Sequence, residues 1–503
     1  MRRVSAISGV LVIAACLGLT SAALSDAVVA FEVWPAGESD EIDVDIYAQR
    51  MSTGGEPLWG GSEDPVAVAA SGHIETSPAV LPLDDGAVLV AYQLEFIEGD
   101  HKGDADVYAQ LIDADGVSVW NDGESPVPIA TSLAWESGPV VIGDGEGGAI
   151  IVYEWSEDGG DSDILAQRIG PDGEGIWNDG DTPSIIASSD RPERDPVVVS
   201  DGEGGALIVF VWDGPDGNSD VMAQRVTSDG IVLWNEGAQA ADVSATPMRE
   251  THPVAVSDGR GGALVAFELE FIEGKYKGDV DIMAQRISGD GVRMWNGGDE
   301  PAVVSSGSGI ERRPVVVSDE QRGVIVAFEY EPLEGEYAGD IDILAQRLGP
   351  TGRPLWSDGE RSVTVSSSSQ LERMAHAVAD GVGGMFLVFE HEFRGGDHGG
   401  DIDIFAQRLG ADGELAWHEG QRSVMVAGSE WYERSPIAVP DGEGGVIVIT
   451  GAEGPEGKWE GDEDIRAIRV DGAGELVWHD GERAESVSAT TLGERNAAAT
   501  PVR

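Results

Sequence analysis

Eight times along the chain an Ala-Gln-Arg triplet, or a near copy of it, is followed by a tryptophan eleven residues after its alanine. The alanines are Ala48, Ala109, Ala166, Ala223, Ala284, Ala345, Ala406 and Ala467, and the tryptophans are Trp59, Trp120, Trp177, Trp234, Trp295, Trp356, Trp417 and Trp478. Successive alanines lie 61, 57, 57, 61, 61, 61 and 61 residues apart. A fixed period of this kind marks one supersecondary unit repeated along the chain. At 503 residues the chain also exceeds the roughly 250–300 at which one hydrophobic core stops growing, so many small cores are expected.

Each repeat predicts four strands. In the repeat of Trp234, Pro196–Ser200 reads as the first strand and Ala206–Trp212 as the second, after a Gly-rich turn. Asp220–Val226 reads as the third, and Ile231–Trp234 opens the fourth after a Ser-Asp-Gly turn. Val and Ile fill the strands while Gly, Asp and Pro fill the gaps. The first two strands are apolar without alternation, which calls for burial on both faces, as in sheets stacked around an axis. The pattern therefore predicts an all-β fold, an eight-bladed β-propeller with four-stranded blades. The ends fit this: Ala27–Trp34 is a second strand without a first, and Gly493–Val502 a first without a second. The C-terminal strand is expected to join the N-terminal three and close the ring, making residues 24–503 one domain and a monomer.

Residues 1–23 read as an export signal: two arginines, an apolar run, then small residues. Cleavage near Ala22 or Ala23 gives an extracellular or periplasmic protein. The alternative is a lipobox over Ile13–Cys16, with Cys16 lipidated and the protein anchored to a membrane. Cys16 is the only cysteine, so the remainder has no disulfide or thiol chemistry. No later apolar run is long enough to span a bilayer. The 92 acids outnumber 31 bases for a net charge of −61, which argues against nucleic acid as a partner. Salt, divalent cations or a basic partner would ease the self-repulsion.

The phrase "DGEGGAIIVYE…DSDILAQRIGPDGEGIW" resembles a repeat of bacterial secreted β-propeller proteins of unassigned role, and the resemblance spans residues 24–503. Its strand order is also similar to the quinoprotein-type propeller repeat, "SPVV…DG…YALDxxTGxxxW". Here the Ala-to-Trp offset is one residue longer, and the adjacent cysteine pair of the alcohol-oxidising branch is absent. The resemblance implies the propeller fold and, through strand order alone, a redox cofactor.

A propeller has two faces. The one-to-two and three-to-four turns share one, called here the turn side. The two-to-three loops and the links between blades share the other, the loop side. On the turn side, Arg50, Arg168, Arg225, Arg286, Arg347, Arg408 and Arg469 are expected to be structural, each bonding carboxylates of the "DGEGG" turns. The glycines there lead into strands rather than helices, so they read as hairpin turns and not as a phosphate loop. The Gln of each triplet is expected to pack against the Trp.

The loop side concentrates acids. A Glu stands just before each first strand: Glu75, Glu136, Glu193, Glu250, Glu311, Glu372, Glu433 and Glu494. Several second strands end in Glu: Glu32, Glu154, Glu268, Glu329 and Glu390. Third strands open on an Asp-x-Asp pair whose members share one face: Asp43 and Asp45, Asp104 and Asp106, Asp161 and Asp163, Asp279 and Asp281, Asp340 and Asp342, Asp401 and Asp403. These pairs are the candidate metal ligands, with Ca²⁺ the cation their oxygens suit; neighbouring arginines are the alternative compensation. Trp34, Trp135, Trp155, Trp212, Trp431 and Trp459 fall in loops or links and form a candidate aromatic platform.

The eight histidines sit at different repeat positions and read as surface residues. No HExxH, GxSxG or nucleophilic Cys is present, and catalytic residues are not identifiable. The reading is a non-enzymatic binding or scaffold propeller whose acidic, Trp-containing loop face takes a protein, peptide, glycan or cationic partner, with Ca²⁺ as a stabilising ion. The alternative is a propeller enzyme, either a glycan hydrolase or lyase or a quinoprotein-like oxidoreductase.

Overall fold

The computed structural model describes residues 25–502 except 35–42, 62–63, 158–159, 181, 238, 336, 421, 430–431, 454–462, 482–483 and 489–492. The export signal, Cys16, Trp431, Trp459 and Asp462 lie outside the described residues. No described helix is long and apolar enough to cross a membrane.

The fold is all-β, with single-turn 3₁₀ segments between strands. We number the repeat units 1 to 8 by their tryptophans, from Trp59 to Trp478. In unit 4 the strands are Glu193–Ser200, Ala206–Asp213, Ser219–Val226 and Ala241–Ser244, antiparallel in that order. Ala206–Val211 is buried throughout, which its unbroken apolar sequence requires. The first strand, Gly493–Val502, of unit 1 pairs with Asp26–Trp34, followed by Asp45–Met51 and Val66–Ala69.

The fourth strand is not where the sequence placed it. Ile231–Trp234 forms no ladder of its own: it makes the isolated bridge Val226↔Val232, Leu233 N–H donates to Arg225 O at 2.9 Å, and Trp234 N–H donates to Gln224 Oε1 at 3.0 Å. Ile231 and Leu233 stay 59% and 39% exposed. The chain then makes a 3₁₀ turn at Trp234–Gly237 and pairs as Ala241–Ser244. The detour delivers the indole to the next unit.

That indole is the rivet between units. Trp177 Nε1 donates to Ser228 O at 2.8 Å, and Trp234 Nε1 to Gly289 O at 3.0 Å, each carbonyl lying in the third turn of the following unit. Gly230 closes that turn at φ +79°, and a Cβ there would meet the Trp177 ring at 2.7 Å, so only glycine fits. Trp478 makes the same bond to Thr53 O of unit 1, at 2.9 Å, with Gly55 against its ring.

The triplet Gln does more than pack, contrary to expectation. Gln167 Oε1 accepts from Trp177 N at 3.2 Å, and Nε2 donates to Thr182 O at 3.3 Å, so it replaces the ladder that Ile231–Trp234 and its equivalents lack. The arginines brace the turns: Arg168 Nε reaches Asp144 Oδ2 at 2.9 Å, and Arg225 Nη2 reaches Asp201 Oδ2 at 2.8 Å. Arg50, Arg286, Arg347, Arg408 and Arg469 contact Asp26, Asp258, Asp319, Asp380 and Asp441 at 2.7–2.9 Å. The hydrophobic clusters form between consecutive units. One joins Val140, Ile150 and Trp177 to Ile208 and Phe210, and another joins Ile437, Ile449 and Trp478 of unit 8 to Ala27, Val29 and Phe31 of unit 1.

Candidate functional site

The acids of the loop side meet across unit boundaries. Each Glu lies within its first strand rather than before it, and the carboxylates of Glu75, Glu136, Glu193, Glu311, Glu372 and Glu433 stand near the Asp-x-Asp pair of the preceding unit. The third strand and the next first strand touch through a single parallel pairing, Ala105↔Trp135 between units 2 and 3. This sets Glu136 beside Asp104 and Asp106, with ligand oxygens of all three within 4.8 Å of one another. The offset is constant in the sequence: 30 residues from Asp45 to Glu75, from Asp106 to Glu136, and so on to Asp464 and Glu494.

These carboxylates are buried and short of donors. Glu136 is 2% exposed; Ser132 Oγ donates to its Oε1 at 2.5 Å, while its Oε2 and Asp106 Oδ1 have no hydrogen-bond partner. Glu75, Glu193, Glu311, Glu372 and Glu433 repeat the orphaned Oε2, and Asp45, Asp281, Asp342 and Asp403 the orphaned Oδ1. Burial, reinforced by the neighbouring aspartates, pushes Glu136 up to about 7. Burial and Asp104 push Asp106 up to about 6. Burial and Asp281 push Glu311 up to about 8.

The interfaces differ in what stands near these acids. Asp340 accepts from Arg394 Nη1, Glu372 Oε1 lies 3.1 Å from His391 Nδ1, and Asp279 accepts from Gly309 N at 3.0 Å. Asn218 replaces the first aspartate in unit 4. Asp104 has only His101 Nδ1 at 3.5 Å. Asp43 and Asp161 are exposed, Asp163 and Asp401 half-buried, and Asp403 buried.

Two residues after each Glu the first strand carries a bulge that sequence reasoning missed. The positions are Ser77, Gly138, Asp195, His252, Arg313, Met374, Ser435 and Asn496, all with φ between 49° and 59°. Non-glycine residues seldom take this conformation, and it clusters at functional sites. In five units a second-strand glutamate of the unit before holds it, whereas Gly138, His252 and Asn496 face Gln93, Val211 and Gly451 at that position. Ser77 N–H donates to Glu32 Oε1 at 2.9 Å, Asp195 N–H to Glu154 Oε1 at 2.7 Å, and Arg313 N–H to Glu268 Oε1 at 2.7 Å. The backbone repeats while the side chains do not. All are exposed except the half-buried Asp195.

Units 4 to 7 place Asp195, His252, Arg313 and Met374 in succession on this line, and the Arg313 guanidinium contacts Met374 Sδ. His252 Nδ1 lies 3.2 Å from Glu268 Oε2, which lifts the imidazole above its ordinary value, with Asp195 adding to the effect. Units 8, 1, 2 and 3 offer only Ser435, Asn496, Ser77 and Gly138.

The described rim tryptophans Trp34, Trp135, Trp155 and Trp212 are half-buried. Trp155 Nε1 donates to Ser132 Oγ at 3.3 Å and Trp212 Nε1 to Ser189 Oγ at 3.1 Å, so each covers a serine that serves a buried Glu. Trp34 Nε1 donates to Glu32 Oε2 at 2.9 Å. One histidine is not at the surface as expected: His376 is buried, accepts from Ala438 N at 3.0 Å, and burial lowers its pKa to about 4. A shallow concavity between the loops of units 4 and 5 is lined by Gly217, Arg249, Glu270 and Lys277.

No protein-family model and no curated protein matches the chain. Among solved structures it is similar to the β-propeller domain of the Trilobed protease from Pyrococcus furiosus, at 12% identity and TM-score 0.41, over 83% of this chain and 98% of that one. It is also similar to the polysaccharide lyase Uly1, at 7% identity and TM-score 0.45, over 78% and 89% of the two chains. A third likeness is to the Hadza microbial sialidase Hz136, at 11% identity and TM-score 0.35, over 86% and 88%.

Proposed function

We propose that the chain is an eight-bladed β-propeller, closed by its C-terminal strand, that works as a binding module through the mouth of its central channel. Closure is supported by the Trp478–Thr53 bond, which repeats the rivet of the other units, and by the cluster that joins unit 8 to unit 1. First strands neighbour one another from unit to unit, including units 8 and 1 and units 1 and 2. In a closed ring this order would put the bulge residues around the channel mouth.

The observation that carries the binding role is that bulge line. A constant backbone holds side chains that differ from each unit to the next, with charged and long groups on one arc and Ser435, Asn496, Ser77 and Gly138, all small, on the other. Such an arrangement suits recognition of an asymmetric peptide or glycan, while the half-buried rim tryptophans extend the apolar contact. The export leader, if present in the cell, would place this module outside the cytoplasm.

The test is a peptide and glycan array probed with the wild-type protein and the His252→Ala/Arg313→Ala double variant. The expected result is a saturable ligand whose affinity falls at least tenfold in the double variant. Absence of saturable ligands on both arrays sinks the binding role. Binding that survives the double variant but is lost with Trp155→Ala/Trp212→Ala moves the site to the rim. A second reading, a propeller enzyme, is favoured by the His252–Glu268 pair beside Asp195, a carboxylate-backed imidazole at a mouth. Polysaccharide depolymerisation abolished by His252→Ala would establish it.

A further inference from the structure

We propose that the interface between units 2 and 3 binds one divalent cation, Ca²⁺, through Asp104, Asp106 and Glu136, and that the ion staples the two units. This goes beyond the channel-mouth reading and does not depend on it.

The cluster has the features that a cation answers. Its three carboxylates come from two units, and ligand atoms of all three lie within 4.8 Å of one another. Asp104, Asp106 and Glu136 are only 9%, 4% and 2% exposed. Glu136 Oε2 and Asp106 Oδ1 are buried oxygens without a donor. Carboxylates buried in this way carry a large desolvation cost unless something positive meets them. The interface between units 6 and 7 has both Arg394 and His391 in contact, whereas this one has a single, half-exposed imidazole at 3.5 Å from Asp104.

The donor set selects the ion. All donors are hard oxygens, and no sulfur or well-placed imidazole favours a transition metal. Ca²⁺ accepts roughly 6–8 oxygens in flexible geometry, so three carboxylates would supply its charged ligands and water would fill the remaining positions. Mg²⁺ demands a stricter octahedron and keeps its waters. The cover over the site comes from Trp155, whose Cα pairs with that of Glu136 and whose indole donates to the serine that serves Glu136. An ion bound there sits within energy-transfer range of Trp155 and Trp135.

The experiment uses the full chain. Calorimetric titration with CaCl₂ at fixed NaCl is expected to show one saturable site that MgCl₂ fills more weakly. Terbium(III) added to the same protein is expected to emit on tryptophan excitation and to be displaced by Ca²⁺. Glu136→Gln keeps the shape, removes one charge, and is expected to lower Ca²⁺ affinity at least tenfold. Asp104→Asn is the second variant should the first fold poorly. The His252→Ala/Arg313→Ala protein is expected to keep the site, which separates this proposal from the channel-mouth reading. Calcium effects no greater than those of matched ionic strength, terbium emission that is absent or not displaced, or an unchanged site in both carboxylate variants would overturn it.

Discussion

Asp201 on the turn side and Glu311 on the loop side are equally hidden, at 3% and 2% exposure, yet their surroundings are opposite. Asp201 receives Arg225 Nε at 3.0 Å and Nη2 at 2.8 Å, with the amides of Glu203 and Gly205 at 2.8 and 2.9 Å. Glu311 receives Ser305 Oγ at 3.1 Å on one oxygen and nothing on the other, while Asp281 stands beside it. Burial alone therefore says little about what a carboxylate does. Donors that fill every lone pair make it architecture, and missing donors leave a place for a proton, an ion or a ligand.

The largest test of the turn-side and core account is removal of residues 493–503. Asp26–Trp34 then becomes an edge, and the clusters on both sides of unit 1 lose Val502, Ala497 and Ala499. A loss of about 5 kcal/mol or more is expected, comparable to the whole stability of many domains. A truncated protein with the wild-type denaturation midpoint would falsify the closed ring. Next comes Arg225→Ala, which strands Asp201 and should cost about 3–5 kcal/mol in chemical denaturation. Adding Asp201→Asn to that variant should recover much of the loss, because the uncompensated charge is then gone.

On the loop side the same kind of change should have the other sign. Glu311→Gln removes a charge that Asp281, Asp279 and burial all disfavour, with Tyr330 and Ser305 the other groups facing it. The folded-state value of about 8 lies above the ordinary 4.5 of a glutamate, so the folded chain holds the proton more tightly. Its contribution is therefore complete below about 4.5 and lost as pH rises through 8. In chelator the variant should gain about 1–3 kcal/mol over wild type at pH 8 and nothing at pH 4.5. A loss of stability at pH 8 would show that this acid is compensated after all.

The sequence carried the repeat because Trp is fixed by a contact that recurs from unit to unit, and Gln and Arg by contacts that recur in most of them. The fourth strand was misplaced because Ile231 and Leu233 look like core but stay exposed, while the real strand, Ala241–Ser244, looks polar. The acid clusters were half legible. Both members were identifiable, and the constant 30-residue offset was available, but treating each repeat as self-contained hid that Glu136 serves the aspartates of the unit before. The bulge could not be read at all. Its φ recurs even where Gln93, Val211 or Gly451 stands in place of the latching glutamate, and Ser, Asp, His, Arg, Met and Asn share no signature for it.

The smallest test repeats one substitution at three places. Trp120 Nε1 donates to Pro171 O at 3.0 Å, and unit 2 has Leu111 where most units have the bracing arginine. Trp177 Nε1 donates to Ser228 O at 2.8 Å, but Arg168 Nη1 reaches the same carbonyl at 2.9 Å. Trp155 donates outward to the exposed Ser132 hydroxyl, which water can replace. Replacing each by Phe keeps most of the apolar contact and deletes the donor. The expected costs are about 2 kcal/mol for Trp120→Phe, about 1 for Trp177→Phe and under about 1 for Trp155→Phe, since an orphaned acceptor costs more than a lost bond. Equal costs for Trp120→Phe and Trp177→Phe would mean that the arginine gives the shared carbonyl no cover, and that the turn side owes its rigidity to ring packing instead.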